Sequence, residues 1–312
     1  MRVLITGGAG FLGAHLANRL VGEGHTVLVL DDLTAGDPKR LAADVLFTRG
    51  NVKDVPKLWT LLQNVDCVYH LAARVRVPES IYYPSDYNDV NVGGTVCVME
   101  AMRDTGVRRV VFASSGAIYG EQATQPIGED HNPNPNSPYG VSKIAAEYYV
   151  STLGTLYGIE TVSLRIFNAY GPGQDLPPSH PPVIPQLLKQ AQSGGSLVIF
   201  GDGSQTRDFV YVDDVVDALV RAATAVNVNR AVINVGSGRE VSINDVAAGV
   251  ARAARKRPDV LHNQAMSSGV SRLVADVERA RVLLGWQPRT DLEEGLCLTL
   301  ERDPRFHLRG NS

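Results

Sequence analysis

The chain opens on an apolar run, Arg2 to Thr6, that breaks into Gly7-Gly8-Ala9-Gly10-Phe11-Leu12-Gly13. A short strand that ends in three glycines spaced G-x-x-G-x-x-G and turns at once into a helix is compatible with few folds. The first glycine permits the tight turn, the second lets backbone approach a pyrophosphate, and the third lets the helix pack closely on the strand. Free N–H groups at the start of that helix attract an anion. Leu12, Leu16 and Leu20 form one apolar stripe on the helix, which runs out at Gly22 and Gly24. Residues 26–30 read as a second strand and lead into Asp31. An acidic residue there accepts hydrogen bonds from the adenosine ribose and repels a 2′-phosphate, which favours NAD over NADP. No Gly-Lys-Ser/Thr follows the glycines, which argues against a nucleoside-triphosphate loop.

Further apolar strands are expected near 45–48, 66–71, 109–114, 160–166 and 231–235, with helical patterns between them, for example at 95–105 and 139–156. Strand and helix in alternation predict an α/β fold: a Rossmann-type doubly wound parallel sheet, covered on both faces, with its site at the carboxyl ends of the strands. After Asn168 the pattern breaks. Residues 171–185, GPGQDLPPSHPPVIP, are too proline-rich for regular structure and read as a loop over a binding site, or else as an exposed connector. A helix candidate at 212–226 and the strand at 231–235 return the chain to the main sheet. The expected division is a dinucleotide-binding domain of residues 1–168 plus about 212–238, and a smaller, discontinuous C-terminal α/β substrate domain of about 169–211 plus 239–312.

Composition narrows the setting. No apolar run approaches the ~20 residues of a membrane span, and Met1-Arg2 leads directly into strand rather than into a signal-peptide pattern. A net charge of −3 gives no reason to expect nucleic acid. Cys67, Cys97 and Cys297 are far apart, and the first two, among apolar neighbours, read as small core residues. The seven histidines show no metal-ligand spacing, so no metal is expected. The expected setting is a reduced, cytoplasmic compartment.

The second informative stretch is Tyr139-Gly140-Val141-Ser142-Lys143. Four-residue spacing puts Tyr139 and Lys143 on one helix face. An ammonium near a phenol stabilises the phenolate and lowers its pKa toward neutrality. The strand at 109–114 runs into Ser114-Ser115-Gly116, so the Ser115 hydroxyl falls at the carboxyl edge of the sheet, where it can bridge a substrate oxygen to Tyr139. Taken alone, Ser114 and Ser115 also suit a turn.

With these motifs the chain resembles the extended short-chain dehydrogenase/reductases, in the NAD-dependent sugar epimerase/dehydratase family. The resemblance covers nearly the whole chain. His70-Leu71-Ala72-Ala73 is similar to the family's segment beside the cofactor pyrophosphate and ribose. Asn91 matches the asparagine behind the nicotinamide, Arg165 to Pro172 the segment that links the cofactor and nucleotide-sugar sites, and Gly201 to Phe209 a substrate-domain signature. The resemblance implies that Gly7, Gly10, Phe11, Leu12, Gly13, Asp31, Asp32, Asn51, Val52, Leu71, Ala72, Ala73, Asn91, Ser114, Tyr139, Lys143 and Ile166 bind NAD. It implies Ser115, Tyr139 and Lys143 as the catalytic set, and Arg76, Ser115, Tyr139, Asn168, Arg207 and Arg272 on a nucleotide-sugar substrate. It also implies a homodimer paired through the segments near 94–105 and 140–156.

In the family's chemistry, a phenolate takes the proton of the sugar 4-hydroxyl, directly or through the serine, while hydride passes from C4 to NAD⁺. Family members that also move a carbon-bound proton carry acids just after the active-site hydroxyl residue. Here those positions are Gly116 and Ala117, which transfer no proton. Simple 4-epimerisation, as in the UDP-glucose/UDP-galactose 4-epimerases, is therefore the expectation. A UDP-glucuronate or UDP-N-acetylhexosamine 4-epimerase, a net nucleotide-sugar oxidoreductase and a non-catalytic NAD-binding regulator are the alternatives. Arg207 suits the substrate diphosphate, or else pairs with Asp208 or Asp202 on the surface. A second phosphate-binding arginine of the family falls at Met266, with Arg272 as a possible substitute. Asn51 stands where an aspartate is more usual beside the adenine, and its carbonyl can still accept the adenine amino group. Arg74 and Arg76 could read a C6 carboxylate, or face solvent or cofactor phosphates.

Overall fold

In the computed structural model, residues 1–264 and 270–307 are described. Six strands are laid down before the pattern changes: β1 (Arg2–Thr6), β2 (Thr26–Asp31), β3 (Leu46–Arg49), β4 (Cys67–His70), β5 (Arg109–Ser115) and β6 (Glu160–Ile166). Six shorter strands, β7 (Asn168–Tyr170), β8 (Leu197–Phe200), β9 (Thr206–Arg207), β10 (Phe209–Tyr211), β12 (Val241–Ser242) and β13 (Val260–Asn263), flank one more strand of the main sheet, β11 (Ala231–Val235). The main sheet has seven strands in the order β11-β6-β5-β4-β1-β2-β3, and every pair is parallel. The short strands form three two-stranded pairs, β10 with β7, β12 with β9 and β13 with β8.

Alternation along each strand divides the interior. Val3, Ile5, Val27, Val29, Val111 and Leu164 face one side, against Leu16 and Leu20 of the helix Phe11–Gly22 and Val215 and Leu219 of the helix Val212–Thr224. Leu4, Leu28, Val68, Val110 and Phe112 face the other, against Val98 and Met102 of the helix Gly94–Thr105 and Ala146 and Val150 of the helix Pro138–Tyr157. Burying each such leucine or valine contributes roughly 1.5–3 kcal/mol. The first of these cores continues into Leu187 and Val246 of the C-terminal helices. A third cluster, with Tyr119, Ile127, Phe167, Leu273 and Ala275, closes the carboxyl end.

The expected helix at 139–156 gains a residue at each end because Ser137 caps it, its hydroxyl accepting from Gly140 N at 3.2 Å, and Pro138 starts it. Strand β5 reaches Ser115, one residue further than expected, since Ser115 stays in register with Ile166. The helix expected at 212–226 ends at Thr224. Residues 171–182 carry neither helix nor strand, but the irregular stretch expected to reach 185 ends early: Val183, Ile184 and Pro185 form the first turn of the helix Val183–Gln192, where a proline is tolerated because first-turn N–H groups have no partner within the helix. Cys67 is fully buried, but Cys97 is only partly so, lying at the edge of the second core. Among the described residues no helix is long and apolar enough to cross a membrane, and no His/Cys/Asp/Glu group could hold a metal.

Candidate active site

The glycine turn is shaped by close backbone approach. Gly7 has φ +69°, and a Cβ there would sit 2.7 Å from the Ala72 backbone. A Cβ on Gly13 would lie 2.3 Å from the Gly7 carbonyl oxygen and 2.5 Å from Gly8 Cα. The helix that follows has Gly10 as its N-cap, with no side chain bonded to its first N–H groups. This is a cradle that fits a pyrophosphate: positive helix end, unobstructed backbone, no Cβ in the way. Phe11 and Leu12, in the first turn of that helix, are partly buried beside it.

Asp31 is 8 % exposed at the end of β2. Its carboxylate accepts from Ala9 N at 3.0 Å and Leu33 N at 2.8 Å, so it ties the glycine turn to the second strand. Burial pushes its pKa up, and these backbone donors oppose the shift. Asp32, exposed, accepts from Thr34 N. Asn51 accepts from Lys53 N at 2.9 Å, and Val52 is buried beside Gly94.

Leu71, Ala72 and Ala73 leave β4 next to this turn, held by two backbone donations, Leu71 N to Thr6 O and Ala72 N to Thr6 Oγ1. A buried relay continues from there. Thr6 Oγ1 is 2.7 Å from His70 Nδ1, and His70 Nε2 is 2.9 Å from Thr95 Oγ1. Thr95 donates to the Asn91 carbonyl, so it accepts from His70 Nε2–H, which leaves Nδ1 to accept from Thr6. Burial lowers the His70 pKa to about 3, so the ring is neutral. Sequence reasoning missed this tie, although Thr6 and His70 end neighbouring strands and stand in register.

Asn91 sits in a π-helical turn, Asn88–Gly93. Its Nδ2 donates to Arg74 O and to Ser142 Oγ, and its Oδ1 accepts from Arg74 N. Asn91 thereby clamps the segment after β4 to the helix that carries Tyr139 and Lys143.

Tyr139, Lys143 and Ser115 meet at the carboxyl edge, with side chains largely shielded from solvent: Tyr139 and Ser115 are each 9 % exposed and Lys143 is 3 % exposed. The Tyr139 ring packs edge-on to Tyr87, and Lys143 Nζ lies 4.4 Å over the Phe112 ring. The expected depression of the phenol is not the net effect. Burial dominates and raises the Tyr139 pKa, opposed by a hydrogen bond with Ser115. Burial lowers Lys143 to about 7, opposed by the Glu147 charge. Burial thus drives the two proton affinities apart, the phenol's upward and the lysine's downward, because each side chain is pushed toward its neutral form. The Ser114 hydroxyl is engaged by its own neighbour, donating to Glu147 Oε2 at 2.6 Å. Ile166 ends β6, buried beside Ser115.

The residues expected on substrate divide. Asn168 is partly buried and donates from both N and Nδ2 to the Asp208 carbonyl. Arg207 is partly buried, donates to Thr206 O at 2.7 Å, and has its pKa lowered by burial. The Asp208 carboxylate does not pair with it. That carboxylate accepts from Ser237 N and Oγ, Gly238 N and Ala275 N, and so knots the strand ends that carry Arg207, Asn168 and Leu273. Arg272 is engaged elsewhere, in a two-pronged pair with Glu240 at 2.6 and 2.7 Å. Arg76 pairs with Asp175 of the proline-rich segment, and Arg74 lies 3.6 Å from Glu79 and 3.5 Å from Asp86. Met266 lies outside the described residues.

Comparison with known proteins agrees with this fold. Residues 3–236 match the NAD dependent epimerase/dehydratase family. The UDP-glucose 4-epimerase of Mycolicibacterium smegmatis is 38 % identical over 308 residues, 96 % of this chain and 98 % of that one. The solved UDP-glucose 4-epimerase of Thermotoga maritima, with UDP-glucose, superposes with a TM-score of 0.92 at 34 % identity, covering 96 % of this chain and 98 % of that one. The UDP-glucuronic acid 4-epimerase of Bacillus cereus, solved with UDP-glucuronic acid and NAD, gives 0.88 at 31 % identity with the same coverage.

Proposed function

This chain belongs to the NAD dependent epimerase/dehydratase family, and from that membership we propose that it inverts C4 of a nucleotide-diphosphate hexose, with UDP-glucose and UDP-galactose as the first candidates. The observation that carries the reading is the meeting of Ser115, Tyr139 and Lys143 at the carboxyl edge, beside positions 116 and 117 that hold no acid.

Bound NAD supplies the acceptor and then the donor of the C4 hydride. The residues of the chain handle the protons. Tyr139, helped by Ser115, removes the proton of the 4-hydroxyl and returns it to the 4-keto oxygen after the sugar has turned. Lys143 holds the positive charge that favours the phenolate, and Asn91 fixes the helix bearing both. The glycine cradle, Asp31 and the 71–73 segment hold the dinucleotide, while Arg207 and Asn168 hold the diphosphate side of the substrate. Dehydration or C3/C5 epimerisation needs a further acid or base on carbon. Gly116 discourages one: a Cβ there would lie 3.2 Å from the Phe167 ring. An uncharged C6 group is favoured over a uronate, because Arg76 and Arg74 already face carboxylates. The division into residues 1–168 with about 212–238 for NAD, and the rest for the sugar nucleotide, is part of this reading. So is a homodimer, for which Val141, Tyr148, Tyr149 and Leu156 offer exposed apolar and aromatic surface on the helix Pro138–Tyr157.

The test is proton NMR in D2O with UDP-glucose, UDP-N-acetylglucosamine and UDP-glucuronate offered separately. A C4 epimer without deuterium on carbon is the expected product. Deuterium at C3 or C5, or a 4-keto product that persists, rejects the reading.

A further inference from the structure

Behind Tyr139 and Lys143 lies a buried charge cluster that the proton transfers above do not use. Glu147 stands one helical turn beyond Lys143 and two beyond Tyr139, and is 2 % exposed. Its Oε1 accepts from Arg165 Nη2 at 2.7 Å, and its Oε2 accepts from Arg165 Nε at 3.2 Å and Ser114 Oγ at 2.6 Å. Arg165, in β6 and also buried, donates to Tyr119 Oη at 2.8 Å and to the Glu129 carbonyl, with its guanidinium 4.9 Å over the Tyr119 ring. Tyr119 donates onward to Asn234 Oδ1. A buried ion pair is weak evidence for stability, since well-packed apolar residues of similar volume often serve as well. A role in placing charge beside the lysine is the alternative.

We propose that Glu147 and Arg165 form a positioning pair for the acid–base residues: Glu147 balances the Lys143 ammonium from the far side of the helix turn, and Arg165 limits how strongly it does so. The proposal rests on the assignment of Tyr139 and Lys143 as the reacting pair. The groups around Lys143 set the sign of each effect. Its own helix contributes Tyr139 and Glu147, β5 the Phe112 ring and β4 the neutral His70, while Ser114 of β5 and Arg165 of β6 act through Glu147 and Tyr119 acts through Arg165. Glu147 is the anion that holds the Lys143 proton against the cost of burial. Removing it releases that proton at lower pH. Removing the Arg165 charge leaves Glu147 less compensated and holds the proton to higher pH.

The experiment titrates Lys143 by carbon NMR in protein labelled at lysine Cε, with Lys143→Arg to assign the signal among six lysines, in wild type, Glu147→Gln and Arg165→Gln. The pH profile of kcat is measured alongside. We expect shifts of about one pH unit in opposite directions, downward in Glu147→Gln and upward in Arg165→Gln, with the alkaline limb of kcat moving the same way. An unmoved Lys143, or a shift of the same sign in both variants, overturns the proposal, because a merely structural pair has no reason to move them oppositely. Where a Gln variant loses its cooperative melt, Glu147→Asp carries the test: its charge is retracted by one methylene, so Lys143 must titrate below wild type, and an unchanged titration overturns the idea. The titration needs no substrate, so silence with every sugar nucleotide would sink the proposed reaction while leaving this result readable.

Discussion

Replacing Asp208 by Asn tests whether one carboxylate organises the substrate side. Asp208 is fully buried and uses both oxygens twice: Oδ1 accepts from Ser237 N at 2.5 Å and Ser237 Oγ at 2.7 Å, and Oδ2 accepts from Gly238 N at 2.9 Å and Ala275 N at 3.1 Å. The carboxamide is nearly isosteric but carries an NH2 in place of one oxygen. If the NH2 takes the Oδ2 side, two backbone N–H groups lose their acceptor. If it takes the Oδ1 side, the Ser237 hydroxyl can turn to accept and only one backbone N–H is orphaned, so the second orientation is preferred. One buried unsatisfied donor costs about 1–3 kcal/mol, and the three surviving hydrogen bonds each lose about 1 kcal/mol as the charge disappears. A neutral amide is cheaper to bury than a carboxylate, which offsets part of this. The net is a destabilisation of roughly 3 kcal/mol, or a Tm lower by about 5–10 °C on the usual scaling for larger domains. Space cannot relieve the strain, because the bend after β11 already runs so close that a Cβ on Gly236 would sit 2.6 Å from Oδ2. The backbone of Asp208 in turn accepts from Asn168 and donates to Leu273 O. The KM for the sugar nucleotide should therefore rise several-fold while bound NAD is kept. Calorimetry, NAD content and initial rates measure the three quantities. A Tm within about 1 °C of wild type together with an unchanged KM refutes the reasoning.

Tyr139→Phe should lower kcat by about 10³-fold with NAD content unchanged, and near-normal turnover would remove Tyr139 from its role. Gly13→Ala, whose new Cβ would press on the Gly7 carbonyl, should yield protein that melts cooperatively but purifies without dinucleotide, and normal NAD content would show that the turn adapts. His70 is held neutral with its folded pKa lowered to about 3, against about 6.5 unfolded. Between those values the unfolded chain binds a proton that the folded chain refuses, so stability falls as pH drops below 6.5, by at most ~1.4 kcal/mol per pH unit. Denaturant melts at pH 7, 6 and 5 should show a shallower loss in His70→Asn, and parallel losses in both proteins would place the acid sensitivity elsewhere.

What could be read ahead of the structure was whatever the chain states locally. The glycine turn, the strand edges marked by Asp31 and Ser115, and the helix bearing Tyr139 and Lys143 are each written in contiguous residues, where turn chemistry and periodicity leave a trace. What could not be read was held by partners distant in sequence. Glu147 meets Arg165 from a different element, and nothing about an arginine inside a strand announces a buried carboxylate. Asp208 finds its donors at 237, 238 and 275. Arg76 looks like a cation available to a substrate until folding brings Asp175 to it, 99 residues on. Ser114 and Ser115 are alike in sequence, and only the pleat of β5 sends one hydroxyl to Glu147 and leaves the other beside Tyr139.

These long-range ties are unevenly distributed, and the unevenness suits the proposed reaction. The reacting helix is fastened to three neighbours by buried polar groups: to β5 through Ser114 and Glu147, to β6 through Arg165, and to the segment after β4 through Asn91 and Ser142. Such bonds, shielded from water, hold the acid–base groups in one geometry. Residues 171–182 carry no regular structure; Gly173 N is held by the buried Asp303 carboxylate, while Arg76 with Asp175 and Arg305 with the Gln174 carbonyl are more exposed contacts. A 4-epimerase must present both faces of a keto sugar to one hydride carrier and one proton carrier. That demands a fixed catalytic side and a substrate side that admits more than one pose. Buried ties fix the catalytic side on three neighbours, while the substrate side joins the buried Asp208 knot to an irregular segment with a solvent-reached ion pair.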